Sequence, residues 1–412
     1  MTLAALVEEV LGDDLPVGVA AYDGSTAGPP DPPATLVLRT PDALRRILTA
    51  PGELGLSRAY VAGDLDFEGD IFAVIDLRER MPSLRLSGRV LRGIARELGG
   101  WKAIRPVAPP PEEVRLHGRR HSLARDRAAV SYHYDVSNRF YEMVLGPSLT
   151  YSCAVFESPD TTLEHAQAAK HELVCRKLDL SPGDRLLDVG CGWGSLVMHA
   201  AEHHGVHAVG VTISQRQYEM AKKRVSDAGL SDRVEIRLQD YREVDDGPYD
   251  AVSSIGMFEH VGEARLAEYF GRLKKLVRPG GRFLNHGISK GPSKSARLAP
   301  RSFVNRYVFP DGELHEVGRV VSHIQEAGFE VRHVESLREH YALTLRHWVA
   351  NLERNWDDAV AEVGTGRARV WRLYMAVSSV SFAAGGNQIY QVLSVLPGPG
   401  GNAGTALRES YG

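Results

Sequence analysis

The chain has 412 residues, too many for one ordinary domain and enough for two. Its 43% hydrophobic and 25% charged content is that of a globular protein, and a net charge of −3 argues against a nucleic-acid partner. No run of about 18 apolar residues suggests a membrane span, and the opening MTLAALVEEVLGDD carries acids where a secretory signal needs bases. The expectation is therefore a cytoplasmic protein.

The elements follow in order. A short helix (LAALVEEVL), the turn-rich GSTAGPPDPP, a strand (ATLVLRT), a helix beginning near Pro41 and a further helix (IFAVIDLRERM) predict an N-terminal α+β domain over 1–105. RPVAPPPEEV, from 105 to 114, cannot hold a helix or a central strand and opens a Pro/Arg-rich linker, 106–120. The remainder, 121–412, starts with an aromatic-dense segment and the helical TTLEHAQAAKHELVCRKLDL. It then alternates strand and helix: RLLDVG, SLVMHAAEHH, HAVGVT, SQRQYEMAKKRVSDAG, RVEIRLQD, YDAVSSIG, RLAEYFGRLKKLV, RFLNHGI, GRVVSHIQEAG, FEVRHVES and QIYQVL. That alternation predicts a doubly wound α/β sheet of seven strands. Two insertions, a basic loop at about 289–316 and a helical block at about 338–385, follow strand ends on the ligand-binding face and suit a lid.

The first strand of this sheet runs into LLDVGCGWGS, where Gly190, Gly192 and Gly194 alternate. Glycines bend sharply and admit a ligand close to the backbone. A dinucleotide fingerprint reads G-x-G-x-x-G, with an acid about 20 residues on. Here the spacing is G-x-G-x-G and the next strand ends at Thr212. The turn resembles the S-adenosylmethionine loop of a class I methyltransferase, with Asp188 at the strand end.

Other strand ends supply candidates. Thr212, Ile213 and Gln217 are placed to meet the ribose and methionine portions of such a cofactor, although Ser214 equally suits a helix cap. Asp240, beside Tyr241, can accept an adenine amino group or belong to a surface turn. Glu259 follows the fourth strand and reads as a catalytic acid or a helix-start acid. His286 ends the fifth strand, where one histidine can be simple packing. Cys153, Cys175 and Cys191 show neither C-x-x-C nor histidine at metal-ligand spacing, which argues against a disulfide framework and a metal site. Two segments are basic: 115–127 has five arginines and one acid, and 290–306 has five Lys/Arg and no acid. They are solvated loops or contacts for anionic lipid headgroups.

SYHYDVSNRFYEMVLGPSLTYSCAVFE, LLDVGCGWG, GVTISQRQ, SIGMFEHVG, FLNHGI and REHYALTLRHW, in this order, resemble the cyclopropane-fatty-acid synthase family, whose phospholipid branch also carries a separate N-terminal domain. The resemblance implies a class I methyltransferase sheet with helical lid insertions, and an N-terminal domain engaging lipid at the membrane surface. It implies methyl transfer from S-adenosylmethionine to the cis double bond of an unsaturated phospholipid acyl chain, with bicarbonate as base. Carried over residue by residue, the anion contacts are Cys153, Glu259, His286, Ile288 and Tyr341. The cofactor contacts are Tyr134, Tyr151, Ser152, Asp188, Gly190, Gly192, Thr212, Ile213, Gln217, Asp240 and Tyr241. The same resemblance admits methylene branching without ring closure, which needs a separate reductase as partner, and leaves a homodimer open. A nicotinamide oxidoreductase and a non-catalytic lipid-binding protein are the rival readings. The first lacks its glycine spacing here, and the intact Cys153, Glu259, His286 and Tyr341 set argues against the second.

Overall fold

The computed structural model describes residues 2–12, 16–80, 88–100, 104–114, 137–291, 298–310, 312–407 and 411. Tyr134 and the basic segment 115–127 lie outside them, as do Lys294 and Arg297. The chain divides into two compact units, one of 1–115, 299–310 and 356–380, the other of 116–298, 311–355 and 381–412.

The first unit holds a four-stranded sheet of β1 (Gly18–Ala21), β2 (Thr26–Ala27), β3 (Ala34–Leu38) and β4 (Leu65–Gly69), in the order β2-β1-β3-β4. Thr2 caps the helix Leu3–Leu11, and Thr40 followed by Pro41 opens Pro41–Thr49, as their sequence signals require. Leu3, Val19, Leu38, Leu44, Leu65 and Ile94 meet in its core. The helix Glu53–Ala62 and β4 form in a stretch that the sequence pattern leaves unassigned.

Two segments that the sequence reading places in the 121–412 domain belong by contact to this unit. Buried ion pairing explains why. Arg58 grips Glu113 with two hydrogen bonds of 2.6 and 2.8 Å, and Tyr307 donates to the same carboxylate at 3.4 Å. Arg369 donates to Asp66 at 2.7 Å and to the Tyr60 carbonyl at 2.9 Å. Such long-range pairs leave no periodic trace in a sequence.

The second unit holds the seven-stranded sheet: β5 (Arg185–Val189), β6 (His207–Thr212), β7 (Val234–Leu238), β8 (Tyr249–Ile255), β9 (Val277–Lys290), β10 (Glu330–Ser336) and β11 (Asn387–Val395). Their order is β10-β11-β9-β8-β5-β6-β7, with β11 antiparallel to both neighbours and the rest parallel. The order reverses between β5 and β8. Their carboxyl ends therefore open the crevice where doubly wound sheets take ligands. Leu187, Val211, Val252, Phe270 and Phe283 pack on one face of the sheet, and Leu186, Ala208, Leu284, Val197 and Val174 on the other.

Candidate active site

The glycine turn leaves β5 at the switch point. Gly190 and Gly192 have φ of 80° and 56°, a region that costs any side chain with a Cβ. A Cβ on Gly190 would collide with the Met257 side chain, whereas one on Gly192 would meet nothing within 4 Å. Gly192 thus presents open backbone at the mouth of the crevice. Asp188, 3% exposed, accepts from the Ser253 hydroxyl at 2.7 Å, and burial pushes its carboxyl up to about 6.

At the end of β6, Thr212 donates to the Gln217 side chain at 2.8 Å, and Ser214 caps the following helix by accepting from the Gln217 N–H at 3.4 Å. The cap reading of Ser214 therefore holds in full. Ile213 beside it is 48% exposed, and Leu238, at the end of β7 and opposite Thr212, is 46% exposed. Two exposed aliphatic side chains at adjacent strand ends suit a flat ring. Leu238 escapes sequence reasoning because a leucine closing a strand reads as core. Asp240 follows β7, and both its oxygens accept from the Arg242 guanidinium, at 2.9 and 2.5 Å. Tyr241 packs edge-on against Tyr269 at 5.2 Å.

The remaining candidates are linked by a chain of contacts. Cys153, fully buried, points its thiol at the Leu337 carbonyl, 3.5 Å away. Leu337 donates its N–H to Ile389 and accepts from Tyr341, and Ile389 lies directly opposite Ile288 in the β9/β11 ladder. The Ile288 N–H donates to Glu259 at 2.7 Å. His286, two residues back along β9, faces Gln391, whose amide lies 3.1 Å from its Nδ1. Tyr151 packs between Tyr141 and Trp348, at 5.8 and 5.3 Å, and Ser152 accepts from the buried Lys170 at 3.1 Å. Gly287 was not singled out from sequence. A Cβ there would strike the Phe258 ring and sit 3.1 Å from Glu259, so the bare backbone admits Glu259 to the strand edge.

Electrostatics set what this cluster can do. Burial raises the Cys153 thiol, so it stays uncharged. Burial carries the Glu259 carboxyl up to about 7, opposed by the Ile288 N–H, and drives His286 well below its ordinary value. The cluster therefore offers a neutral imidazole and a carboxyl poised between its two forms. Among the described residues, His286 Nε2 and the second Glu259 oxygen are buried without a hydrogen-bond partner. Orphaned polar atoms of this kind call for a small polar ligand.

One further group appears away from this crevice. Cys175, His199 and His204, brought together by the helices Leu163–Leu178 and Ser195–His204, place their ligand atoms within 4.8 Å of one another. Sequence spacing hides it because the residues lie on two helices. One Glu172 oxygen lies 3.3 and 3.0 Å from the two imidazole Nε2 atoms, and that hydrogen bonding accounts for the arrangement.

Fold, glycine turn and crevice together define an S-adenosylmethionine-dependent class I methyltransferase. Residues 121–392 match the family described as mycolic acid cyclopropane synthetase, and the chain belongs to that family. A probable fatty acid methyltransferase of Mycobacterium tuberculosis is 49% identical over 95% of this chain and 94% of its own. A tuberculostearic acid methyltransferase of the same organism is 34% identical, over 93% and 89%. The cyclopropane-fatty-acyl-phospholipid synthase of Escherichia coli is 32% identical, over 88% and 87%. A crystal structure of a mycolic acid cyclopropane synthase complexed with SAH and CTAB superposes with a TM-score of 0.61 at 34% identity, over 65% of this chain and 97% of that one.

Proposed function

We propose that the protein methylates the cis double bond of an unsaturated phospholipid acyl chain and closes a cyclopropane ring. The observation that carries this reading is the pair of buried, unpartnered polar atoms, Glu259 Oε2 and His286 Nε2, in the network that also holds Cys153, Ile288 and Tyr341. Those five residues suit a small oxyanion, and bicarbonate held by them would supply a base. S-adenosylmethionine, held by Tyr134, Tyr151, Ser152, Asp188, Gly190, Gly192, Thr212, Ile213, Gln217, Asp240 and Tyr241, supplies an electrophilic methyl group. Gly192, with open space before it, and the exposed Ile213 and Leu238 fit its backbone and ring portions.

An alkene is already the electron donor, so the protein needs no group to activate it. Its task is to align the chain and keep water from the cation that the new C–C bond leaves on the neighbouring carbon. Ring closure requires a C–H bond of the transferred methyl to break. Its electron pair forms the third ring bond, and the proton departs. Neutral His286 and a partly protonated Glu259 hold a basic site there without placing a full cation beside the developing charge. The N-terminal domain and the basic 290–306 segment serve as membrane docking elements from the cytoplasmic side.

A second reading has support in the names of two relatives, a fatty acid methyltransferase and a tuberculostearic acid methyltransferase. A hydride shift in the same cation, followed by proton loss from the methyl, leaves a methylene branch for a separate reductase. Incubation of the purified protein with S-adenosylmethionine and oleoyl phospholipid separates the two by proton NMR. The expected product shows high-field cyclopropane protons; vinylic methylene protons in their place would establish branching.

A further inference from the structure

Three polar side chains form one row across the sheet beneath the proposed anion pocket. Glu335 on β10 lies opposite Gln391 on β11, and Gln391 lies opposite His286 on β9. Lys177, at the end of the helix Leu163–Leu178, reaches this row, donates to Gln391 Oε1 at 2.7 Å and pairs with Glu335. Lys177 and Gln391 are wholly buried and His286 is 1% exposed. Burying an ammonium costs several kcal/mol unless partners compensate, and an apolar side chain would fill the same volume without that cost.

The hydrogen-bond inventory fixes the direction of the row. An ammonium only donates, so the oxygen of Gln391 must face Lys177. The amide NH2, which also only donates, then faces His286 Nδ1 at 3.1 Å. That nitrogen must accept. A neutral imidazole has one proton, so it resides on Nε2, the atom that is buried without a partner. Burial and the charges of Lys170 and Lys177 keep the ring neutral.

We propose that Lys177 and Gln391 are positioning residues that lock His286 as its Nε2–H tautomer, so that the ring donates to the anion in the pocket. This rests on the anion site of the proposed function. With the opposite tautomer, a lone pair at Nε2 would face the anion and repel it. Gln391 acts as a one-way coupler, and Lys177 decides which way it points.

The test uses the full chain with 15N-labelled histidine, the His286 signals being identified by their loss in His286→Gln. Long-range 1H–15N correlation reads which ring nitrogen is protonated. The wild type is expected to show Nε2–H. In Gln391→Glu a carboxylate accepts from both Lys177 and the ring, so the proton should move to Nδ1. The bicarbonate concentration for half-maximal rate should then rise about tenfold or more, the value of one hydrogen bond to a charged group, while the KM for S-adenosylmethionine stays unchanged. Lys177→Met is the second variant, because Glu335 has 36% side-chain exposure and can turn to water. Freed from Lys177, the amide can rotate, and a mixture of tautomers should appear. Nδ1–H in the wild type, or a reversed tautomer with an unchanged bicarbonate response, would overturn the proposal. A wild-type rate indifferent to bicarbonate refutes the assigned anion; failure of the relay shows separately in the ring nitrogens.

Discussion

Glu259 shows how one side chain can be costly to the fold and useful to the chemistry. Burial moves its carboxyl from the usual 4.5 to about 7, so the folded state holds this proton more tightly than the unfolded chain does. Stability from this group is complete below about pH 4.5 and is lost as pH rises through about 7. Glu259→Gln keeps an oxygen for the Ile288 N–H and cannot ionise. It is expected to be more stable than the wild type at pH 8, on the order of 1–3 kcal/mol, and equal to it near pH 4. Turnover should fall far more than affinity for S-adenosylmethionine. Thermal unfolding at the two pH values and calorimetric binding check both, and equal stability at pH 8 would show that the carboxyl is not buried in the charged form. Glu259, which follows a strand end, was legible as a candidate in the sequence, and His286, which lies inside β9, was so only through the family resemblance. Gln391 and Lys177 were not, since only strand register and helix packing bring a mid-strand glutamine and a helix lysine to the histidine.

Among elements, β9 carries His286 and Ile288, two of the five proposed anion contacts, and its sequence shows only part of the strand. RFLNHGI predicts a strand of seven residues, whereas β9 runs over Val277–Lys290. Pro279-Gly280-Gly281 forms an excursion within it: Val277 faces Tyr249 and Arg282 faces Ala251, a step of two residues on β8 against five on β9. A helix with a capping side chain, such as Leu3–Leu11 behind Thr2, was readable to the residue. The helix Glu53–Ala62 was not, because Gly52 caps it without a side-chain hydrogen bond and its apolar residues lack a clear stripe. Gly287 is where β9 admits the Glu259 turn. Gly287→Ala should displace Phe258 and Glu259, costing about 1–3 kcal/mol of stability and most of the activity. Wild-type turnover in this variant would show that the approach of Glu259 to the strand is not needed.

At the scale of the whole molecule, the number of strands in the large sheet was legible from alternation, while their spatial order and the recruitment of 299–310 and 356–380 by the first unit were not. No helix among the described residues is long and apolar enough to cross a membrane. Arg301 is exposed, whereas Arg306 spends a hydrogen bond on the Pro300 carbonyl and lies 3.8 Å from Glu113. Under the proposed membrane docking, Lys294, Arg297 and Arg301 of the basic 290–306 segment would each contribute about 1 kcal/mol near an anionic surface. Reversing these three charges, or raising salt, should weaken sedimentation with anionic vesicles; salt-independent binding would instead favour a soluble acyl carrier. The central claim is transfer of a methyl group to carbon in the acyl chain. Incubation with S-adenosylmethionine carrying a 13C methyl and an oleoyl phospholipid, followed by release of the fatty acid, places the label directly. The 13C is expected within the chain, bonded to a former alkene carbon; label confined to the headgroup or to a carboxyl ester would contradict the account.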